Sequence, residues 1–246
     1  MRIFYWQVFL FLALACATLA LVYQLPSIPQ DFRYHDFADR RALAGIPNFL
    51  NVVSSLVFLP VGVAGVRHCL VRERGGSRSA WLMFFAGVAL VSAGSAYYHW
   101  NPSSATLVWD RLPMTIGFMA LVVAILGEAL DAPIVRRLLW PAIALGVFSI
   151  VEWYRADDLR LYAWVQFFPL LLVPLALLVT PVRWTQRWLL GAALGCYVLA
   201  KFAELADSRL FALSGALVSG HTLKHLLAAA ACYCLLWMLQ RRRPLA

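Results

Sequence analysis

Long apolar stretches divide the chain and constrain its fold more than any other feature. A helix that crosses the hydrocarbon core of a bilayer needs about 20 predominantly apolar residues, and eight stretches are close to that length. The predicted spans are residues 3–24, 46–68, 79–99, 105–129, 134–152, 160–180, 185–206 and 217–239. Their connections are short, so neighbouring helices should pack antiparallel. We therefore predict an all-α, polytopic transmembrane helical bundle with a seven-helix core and one extra N-terminal helix.

Composition supports a membrane protein and argues against a nucleic-acid-binding one. Of the 246 residues, 63% are hydrophobic and only 13% are charged, which is too few charges to cover a soluble domain of this size. The net charge is +9, but the basic residues form short clusters between the apolar stretches. Such clusters are topology signals. We expect the lipid bilayer as a partner, and no nucleic acid.

The basic clusters also predict an orientation. They occupy alternate loops and consist of Arg67, Arg72, Arg74, Arg78, Arg136, Arg137, Arg183, Arg187, Arg241, Arg242 and Arg243. Loops rich in Lys and Arg stay in the cytoplasm. Both termini of this multi-pass cell-membrane protein should then be cytoplasmic, in agreement with Arg2, while residues 24–45 lie outside despite three arginines of their own.

The first span has two interpretations. A short basic start, an apolar run and the small residues Ala13, Ala15 and Ala20 resemble a cleaved signal peptide. The run extends to Tyr23, however, which is longer than the apolar region of most signal peptides. We expect a retained helix, with an N-terminal unit over residues 1–30 and a seven-transmembrane domain over 31–246.

Ionisable residues recur near the predicted outer ends of several spans. The third span ends near His99, and the fourth begins after a turn in which Ser103 or Ser104 can cap it. Asp110 then falls within the first two turns, at a depth similar to that of His99. Ser95 is four residues before His99 and shares its helix face. Because polar groups inside a bilayer are costly, each needs a partner or a function.

Two further histidines occur at matching depth in the last span. His221 and His225 are one helical turn apart, a spacing that allows two imidazoles to bind one metal ion. Together with His99 and Asp110 they predict a metal site, since a metal compensates several buried polar groups at once. Packing histidines are the alternative. Three imidazoles without thiolates favour Zn²⁺, with a fourth position open for a water that titrates near neutrality.

Three short motifs that contain the site residues resemble those of the alkaline ceramidases. This family belongs to a superfamily of seven-helix membrane hydrolases that includes the adiponectin and progestin receptors. The motifs are Ser95-x3-His99, Asp110-x2-Pro113-Met114 and His221-x3-His225. Upstream, "DFADRRALAGIPNFLNVVSSLVF" resembles the acidic segment that leads into the first core helix of the family. The resemblance extends from Asp36 to His225.

The resemblance implies a zinc-dependent, membrane-embedded amide hydrolase. His99, His221 and His225 would hold zinc and its water. Asp110 would act as the general base and pass the proton to the leaving amine, while Ser95 would orient the scissile group or stabilise the oxyanion. The family cleaves the amide of ceramide into a sphingoid base and a fatty acid. The implied partner is thus a membrane lipid, either ceramide or another N-acyl lipid.

Two departures from the family bear on cofactor and substrate. Eukaryotic members bind calcium through an acidic N-terminal motif, which Asp36 and Asp39 match in part, while Asn48 stands where an acidic ligand is expected. A solvated polar loop is the alternative. Lys224 replaces the aromatic residue between the last two histidines. A cation there either recognises an anionic headgroup or reaches out toward solvent.

A receptor or sensor with a structural zinc and no hydrolytic turnover is the alternative function. The position of Asp110 distinguishes the two, because a closed structural site has four protein ligands, whereas a base beside an open position favours hydrolysis. Elsewhere, Lys201 and Glu204 are expected to form a structural ion pair. Asn51, Ser54 and Ser55 are expected to hydrogen-bond between helices, some of them near the site; these three lie in the second span.

Overall fold

A computed structural model describes residues 5–130 and 133–245, and α-helices account for most of them. The helices are α1 (Tyr5–Gln24), α2 (Phe49–Ser55), α3 (Phe58–Val71), α4 (Arg78–Trp100), α5 (Ser104–Leu130), α6 (Pro133–Arg137), α7 (Leu139–Ala156), α8 (Arg160–Val179), α9 (Trp188–Leu205), α10 (Asp207–Leu213) and α11 (Gly220–Arg241). The described residues contain two isolated β-bridges and no strand. The predicted all-α bundle is confirmed. Arg2 and the first two residues of the predicted 3–24 span lie outside the described residues.

Each predicted span coincides with a helix, but two spans are interrupted. The second is divided into α2 and α3 at residues 56–57, and the fifth into α6 and α7 at Leu138. Pro60 and Pro141 follow these breaks as the third residue of α3 and of α7. Proline has no N–H for a bond to the preceding turn, so the first turn of a helix accommodates it readily. Pro113, Pro169 and Pro174 lie inside α5 and α8 without dividing them, so a proline alone does not predict where a span is interrupted.

Among the described residues, seven helices are long and apolar enough to cross a membrane, counting α2 and α3 as the single span Phe49–Val71. The chain is thus an integral membrane protein. Helix α7, with 18 residues, is not one of the seven, although it packs along α5 and α8 within the bundle. Its assignment as a span stays a prediction, as does the orientation of the bundle.

The bundle is built around α4 and α5, which form a tightly packed hairpin. Helices α3 and α2 lie against α4, while α7 and α8 lie against α5, and α11 packs on α9, α3 and α2. Gly94 permits the close approach of α4 and α5, because a Cβ at that position would lie 2.0 Å from the Trp109 carbonyl oxygen. This contact sets the distance between the helices that carry Ser95 and Asp110.

Helix α1 lies on the outside of the bundle against α8. The Gln7 side chain donates to the Val179 carbonyl (2.6 Å), and the Trp164 indole donates to Thr18 Oγ1 (2.9 Å). Most of the remaining side chains of α1 are exposed or only partly buried in the protein, as expected for a helix that faces lipid. The division into units at residue 30 stays a prediction.

The connecting segment, residues 25–48, folds over the end of the bundle where His99 and His221 lie. Its 3₁₀ helix, Phe32–His35, is held by His35, whose ring nitrogens lie 2.9 Å from the Tyr98 hydroxyl and 3.3 Å from Ser104 Oγ. Phe37 is buried, and its ring packs against both histidines. The segment therefore shields this end of the bundle from solvent.

Candidate metal centre and substrate cavity

Three histidines from two helices converge in the interior of the bundle. His99 lies in the last turn of α4, while His221 and His225 occupy the first two turns of α11. The Nε2 atom of His99 is 3.2 Å from that of His221 and 3.3 Å from that of His225. All three side chains are buried. Within the described residues, these histidines are the group whose ligand atoms are close enough to share a metal ion.

The spacing of the nitrogens fits zinc. Zn–N bonds of about 2.0–2.1 Å in a tetrahedral arrangement place neighbouring nitrogens about 3.3 Å apart, which agrees with the 3.2 and 3.3 Å separations. Without a metal, His99 Nε2 carries either one hydrogen or one lone pair, so it can hydrogen-bond to only one of the two histidine nitrogens that it faces. Three neutral imidazoles without a thiolate are also a donor set that zinc accepts. The residues present therefore fit the metal that the resemblance implies.

A hydrogen bond from α2 orients His225. Its Nδ1 lies 2.7 Å from Ser54 Oγ, and the Ser54 hydroxyl is 3.2 Å from the Asn51 carbonyl oxygen, to which it donates. With its own hydrogen committed to Asn51, Ser54 accepts the Nδ1–H of His225. The tautomer this fixes leaves Nε2 with a free lone pair directed toward the other histidines, as a metal ligand requires.

The backbone around the histidines is fixed by side-chain hydrogen bonds. Ser219 caps α11 by accepting from Thr222 N at 3.1 Å. Asp207 accepts from the backbone N–H of His221 (2.7 Å) and from that of Ala38 (2.9 Å), so one carboxylate ties the connecting segment to α11. Asn48 donates its side-chain amide to the His99 carbonyl at 2.9 Å.

Ser95 and Asp110 lie beside the histidines but outside the ligand group. Ser95 accepts a hydrogen bond from Ser55 Oγ at 3.0 Å and is itself hydrogen-bonded to the Asp110 side chain. Both residues are buried, and both line the main cavity together with His225. The predicted proximity of Ser95, Asp110 and the histidines is thus present in the structure, while their roles stay predictions.

The main cavity lies between α5 and α8 on one side and α9 and α11 on the other. Most of its wall is apolar and includes Phe84, Val88, Met114, Leu121, Val173 and Leu235. Its polar wall carries Tyr34, Lys201, Glu204 and Lys224 in addition to the site residues. An apolar cavity with one polar end suits an amphiphile whose functional group lies next to the histidines.

The residues proposed for calcium are engaged in other contacts. Asp36 accepts from Arg40 at 2.7 Å, and the two Asp39 oxygens accept from the Arg41 guanidinium at 2.8 and 2.7 Å. These Arg41 hydrogen bonds lower the pKa of Asp39 below its ordinary value. Calcium needs carboxylate oxygens that are free to coordinate, so this arrangement provides no support for the calcium site, which stays a prediction.

Several expected contacts between polar residues are confirmed. Lys201 pairs with Glu204, and Lys224 adds a second contact at 3.0 Å. Besides the bonds of Ser54 and Ser55, Asn51 Oδ1 accepts from Thr222 Oγ1 at 3.1 Å. The sequence interpretation missed the tethering role of Asp207 and the contacts of Tyr34 and Phe37. The aromatic residues of the connecting segment, Phe32, Tyr34 and Phe37, were the available signal.

The model of the Ceramidase family matches residues 41–244, which is most of the chain. The matched range includes Ser95, His99, Asp110, His221 and His225, and it begins after Asp36 and Asp39. No curated protein matches the chain. The family match, the membrane-length helices and the histidine group agree with one another: the chain belongs to the Ceramidase family and is an integral membrane, ceramidase-like hydrolase of amide bonds.

Proposed function

We propose that the protein is a zinc-dependent hydrolase that cleaves the N-acyl bond of ceramide or of a related lipid amide within the membrane. The observation that carries this proposal is the arrangement of the site. Three histidines with zinc-like spacing adjoin a carboxylate and a hydroxyl, and the wall of one apolar cavity includes Ser95, Asp110 and His225.

The residues divide the chemistry among them. Zinc bound by the three histidines would supply a Lewis acid and make hydroxide accessible near neutral pH. Asp110 takes a proton from the attacking water and later gives it to the leaving amine nitrogen, so the amide yields a fatty acid and an amine. Ser95 accepts from Ser55 and donates to the Asp110 side chain. Once Asp110 has taken the proton, the Ser95 O–H donates instead to the carbonyl oxygen, where negative charge develops.

The cavity supports a lipid substrate. The acyl chain would lie along the apolar wall formed by α5, α8 and α11, which leaves the amide beside Asp110. The helices around this wall face lipid on their other side, so the substrate need not leave the bilayer. The positive-inside distribution of arginines favours an active site near the outer face, with both termini in the cytoplasm.

A receptor with a structural zinc is less well supported. A structural zinc site is normally closed by four protein ligands, whereas within the described residues the group contains three histidines and no carboxylate. Asp110 lies on the cavity wall instead. A zinc held by these three histidines would therefore have a fourth position for a reactant, which is what a hydrolase requires.

The substitution Asp110→Asn tests the proposal. It keeps the shape of the side chain and removes its ability to accept a proton, so release of fatty acid from ceramide should fall by about 10²–10⁴-fold. Zinc content should be unchanged, because Asp110 is outside the ligand group. Asp31→Asn, at an exposed carboxylate that does not line the cavity, is the matched control and should retain activity. Full turnover in Asp110→Asn would contradict the assignment.

A further inference from the structure

The polar end of the main cavity contains a group of charges that the hydrolytic mechanism does not use. Glu204 accepts hydrogen bonds from Tyr34 (3.2 Å), from Lys224 (3.0 Å) and from Lys201. All four residues line the cavity. The Glu204 carboxylate thus accepts from two ammonium groups. Each ammonium group keeps unused N–H donors at the wall of the cavity.

The ammonium groups have donors to spare. Each can donate three hydrogen bonds, and in the described part of the chain each makes its hydrogen bond to Glu204 alone. Lys201 also contacts the Phe167 ring. The lysine side chains are only 25% and 16% exposed, so bulk water has limited access to them. A ligand oxygen in the cavity would find N–H donors already held in place.

A third cation lies directly behind the cavity wall. The Arg111 guanidinium is buried among three aromatic rings, at 5.2 Å from the centroid of Tyr34, 4.3 Å from that of Trp153 and 4.6 Å from that of Tyr162. Its Nε and Nη1 atoms have no hydrogen-bond partner among the described residues. Tyr34 and Tyr162 separate this charge from the cavity, which both of them line.

The charges around this end of the cavity are unbalanced. Among the groups that line the cavity or adjoin its tyrosines, Lys201, Lys224 and Arg111 contribute three positive charges, whereas Asp110 and Glu204 contribute two negative ones. A metal held by the histidines would add further positive charge. An excess cation in low-dielectric surroundings is costly unless an anion neutralises it. A ligand with one negative charge would complete the site.

We propose that Lys224 and Lys201 select lipid amides whose amine half carries an anionic group, such as a carboxylate, sulfonate or phosphate. The acyl chain occupies the apolar wall, the amide lies beside Asp110 and the anion contacts the two ammonium groups. This inference rests on the proposed function for the placement of the amide. The recognition of the anion depends only on the lysines and the cavity.

Two probes that differ only in charge test the selection. N-palmitoylglycine carries a carboxylate, and N-palmitoylglycinamide replaces it with a neutral amide of nearly the same shape. Dissociation constants for both are measured by native mass spectrometry of the full-length protein in an uncharged detergent, and release of palmitate is measured separately. The wild-type protein should bind the carboxylate at least about tenfold more tightly, as expected for a charge-assisted hydrogen bond.

The variants Lys224→Met and Lys201→Met should each bring the ratio of the two dissociation constants toward one, without changing the affinity for the neutral probe. Affinity for the neutral probe reports that a variant is folded, and Lys201→Met serves if Lys224→Met does not fold. Arg209→Met removes an exposed cation outside the cavity and should keep the wild-type ratio.

The inference is overturned by any of three results. They are equal binding of the two probes by the wild type, no binding of either probe, and an unchanged ratio of dissociation constants in both lysine variants. Palmitate release separates this inference from the proposed function. Charge-selective binding that depends on the lysines, without release of palmitate from any lipid amide, would support the inference and contradict the hydrolase. Hydrolysis of ceramide without charge-selective binding would support the hydrolase and contradict the inference.

Discussion

Ser54 provides a quantitative test of how the histidine group is held. Its hydroxyl accepts the Nδ1–H of His225 at 2.7 Å in a buried environment. In Ser54→Ala that N–H loses its partner, and an unpaired buried donor costs about 1–3 kcal/mol. Loss of a hydrogen bond that orients a metal-binding histidine typically weakens metal affinity by about 10–100-fold, which corresponds to about 1.4–2.7 kcal/mol. The first range is a cost to the stability of the folded protein and the second is a loss of zinc-binding free energy, and the two ranges overlap.

The assay is zinc affinity by competition with a chelator of known affinity, in detergent at constant pH. Ser149→Ala is the matched control. Ser149 is also buried, but its hydroxyl donates within α7 to the Gly146 carbonyl at 2.6 Å, away from the histidines. Ser54→Ala should lose about 10–100-fold in affinity, and Ser149→Ala should lose little. Equal zinc affinity in the wild type and Ser54→Ala would refute the argument that Ser54 orients a metal ligand.

Two further predictions concern packing and pH. Gly94→Ala should destabilise the protein by about 1–3 kcal/mol or more, since the added Cβ would meet the Trp109 carbonyl oxygen at 2.0 Å. Gly191→Ala has open space around it and should be nearly neutral. Unfolding in detergent measures both variants, and equal stability would contradict the close contact of α4 and α5. Arg41→Met should destabilise the protein at neutral pH, because the buried Asp39 carboxylate loses the guanidinium and keeps only the backbone N–H of residue 41 as a donor. The Arg41 hydrogen bonds lower the pKa of Asp39, so their stabilisation is present above the unfolded value of about 3.9 and is lost as the pH falls through the lower folded value. Thermal unfolding of the wild type and the variant should therefore converge in acid, and a difference that grew as the pH fell would contradict the assignment.

The bundle was predictable because its determinants are local. Apolar stretches of membrane length mark the helices, and a helical spacing of four residues places His221 and His225 on one face. The breaks before Pro60 and Pro141 were not predicted, because hydropathy gave continuous spans and prolines inside α5 and α8 cause no such break.

Contacts between distant segments were harder to predict. Asp207 bonds to the backbone of His221 and of Ala38, and neither partner has a side-chain signal in the sequence. Phe37 covers the histidines from a segment whose polar composition suggested a solvated loop.

The most direct test of the metal centre is the metal content of the purified protein, determined by elemental mass spectrometry for the wild type and for His221→Ala. The three-histidine geometry predicts about one zinc per wild-type chain and a large loss in the variant, since two imidazoles cannot hold the ion as three do. A folded wild-type protein that contains no zinc, even after zinc is supplied, would contradict the central claim. The histidines would then be packing residues.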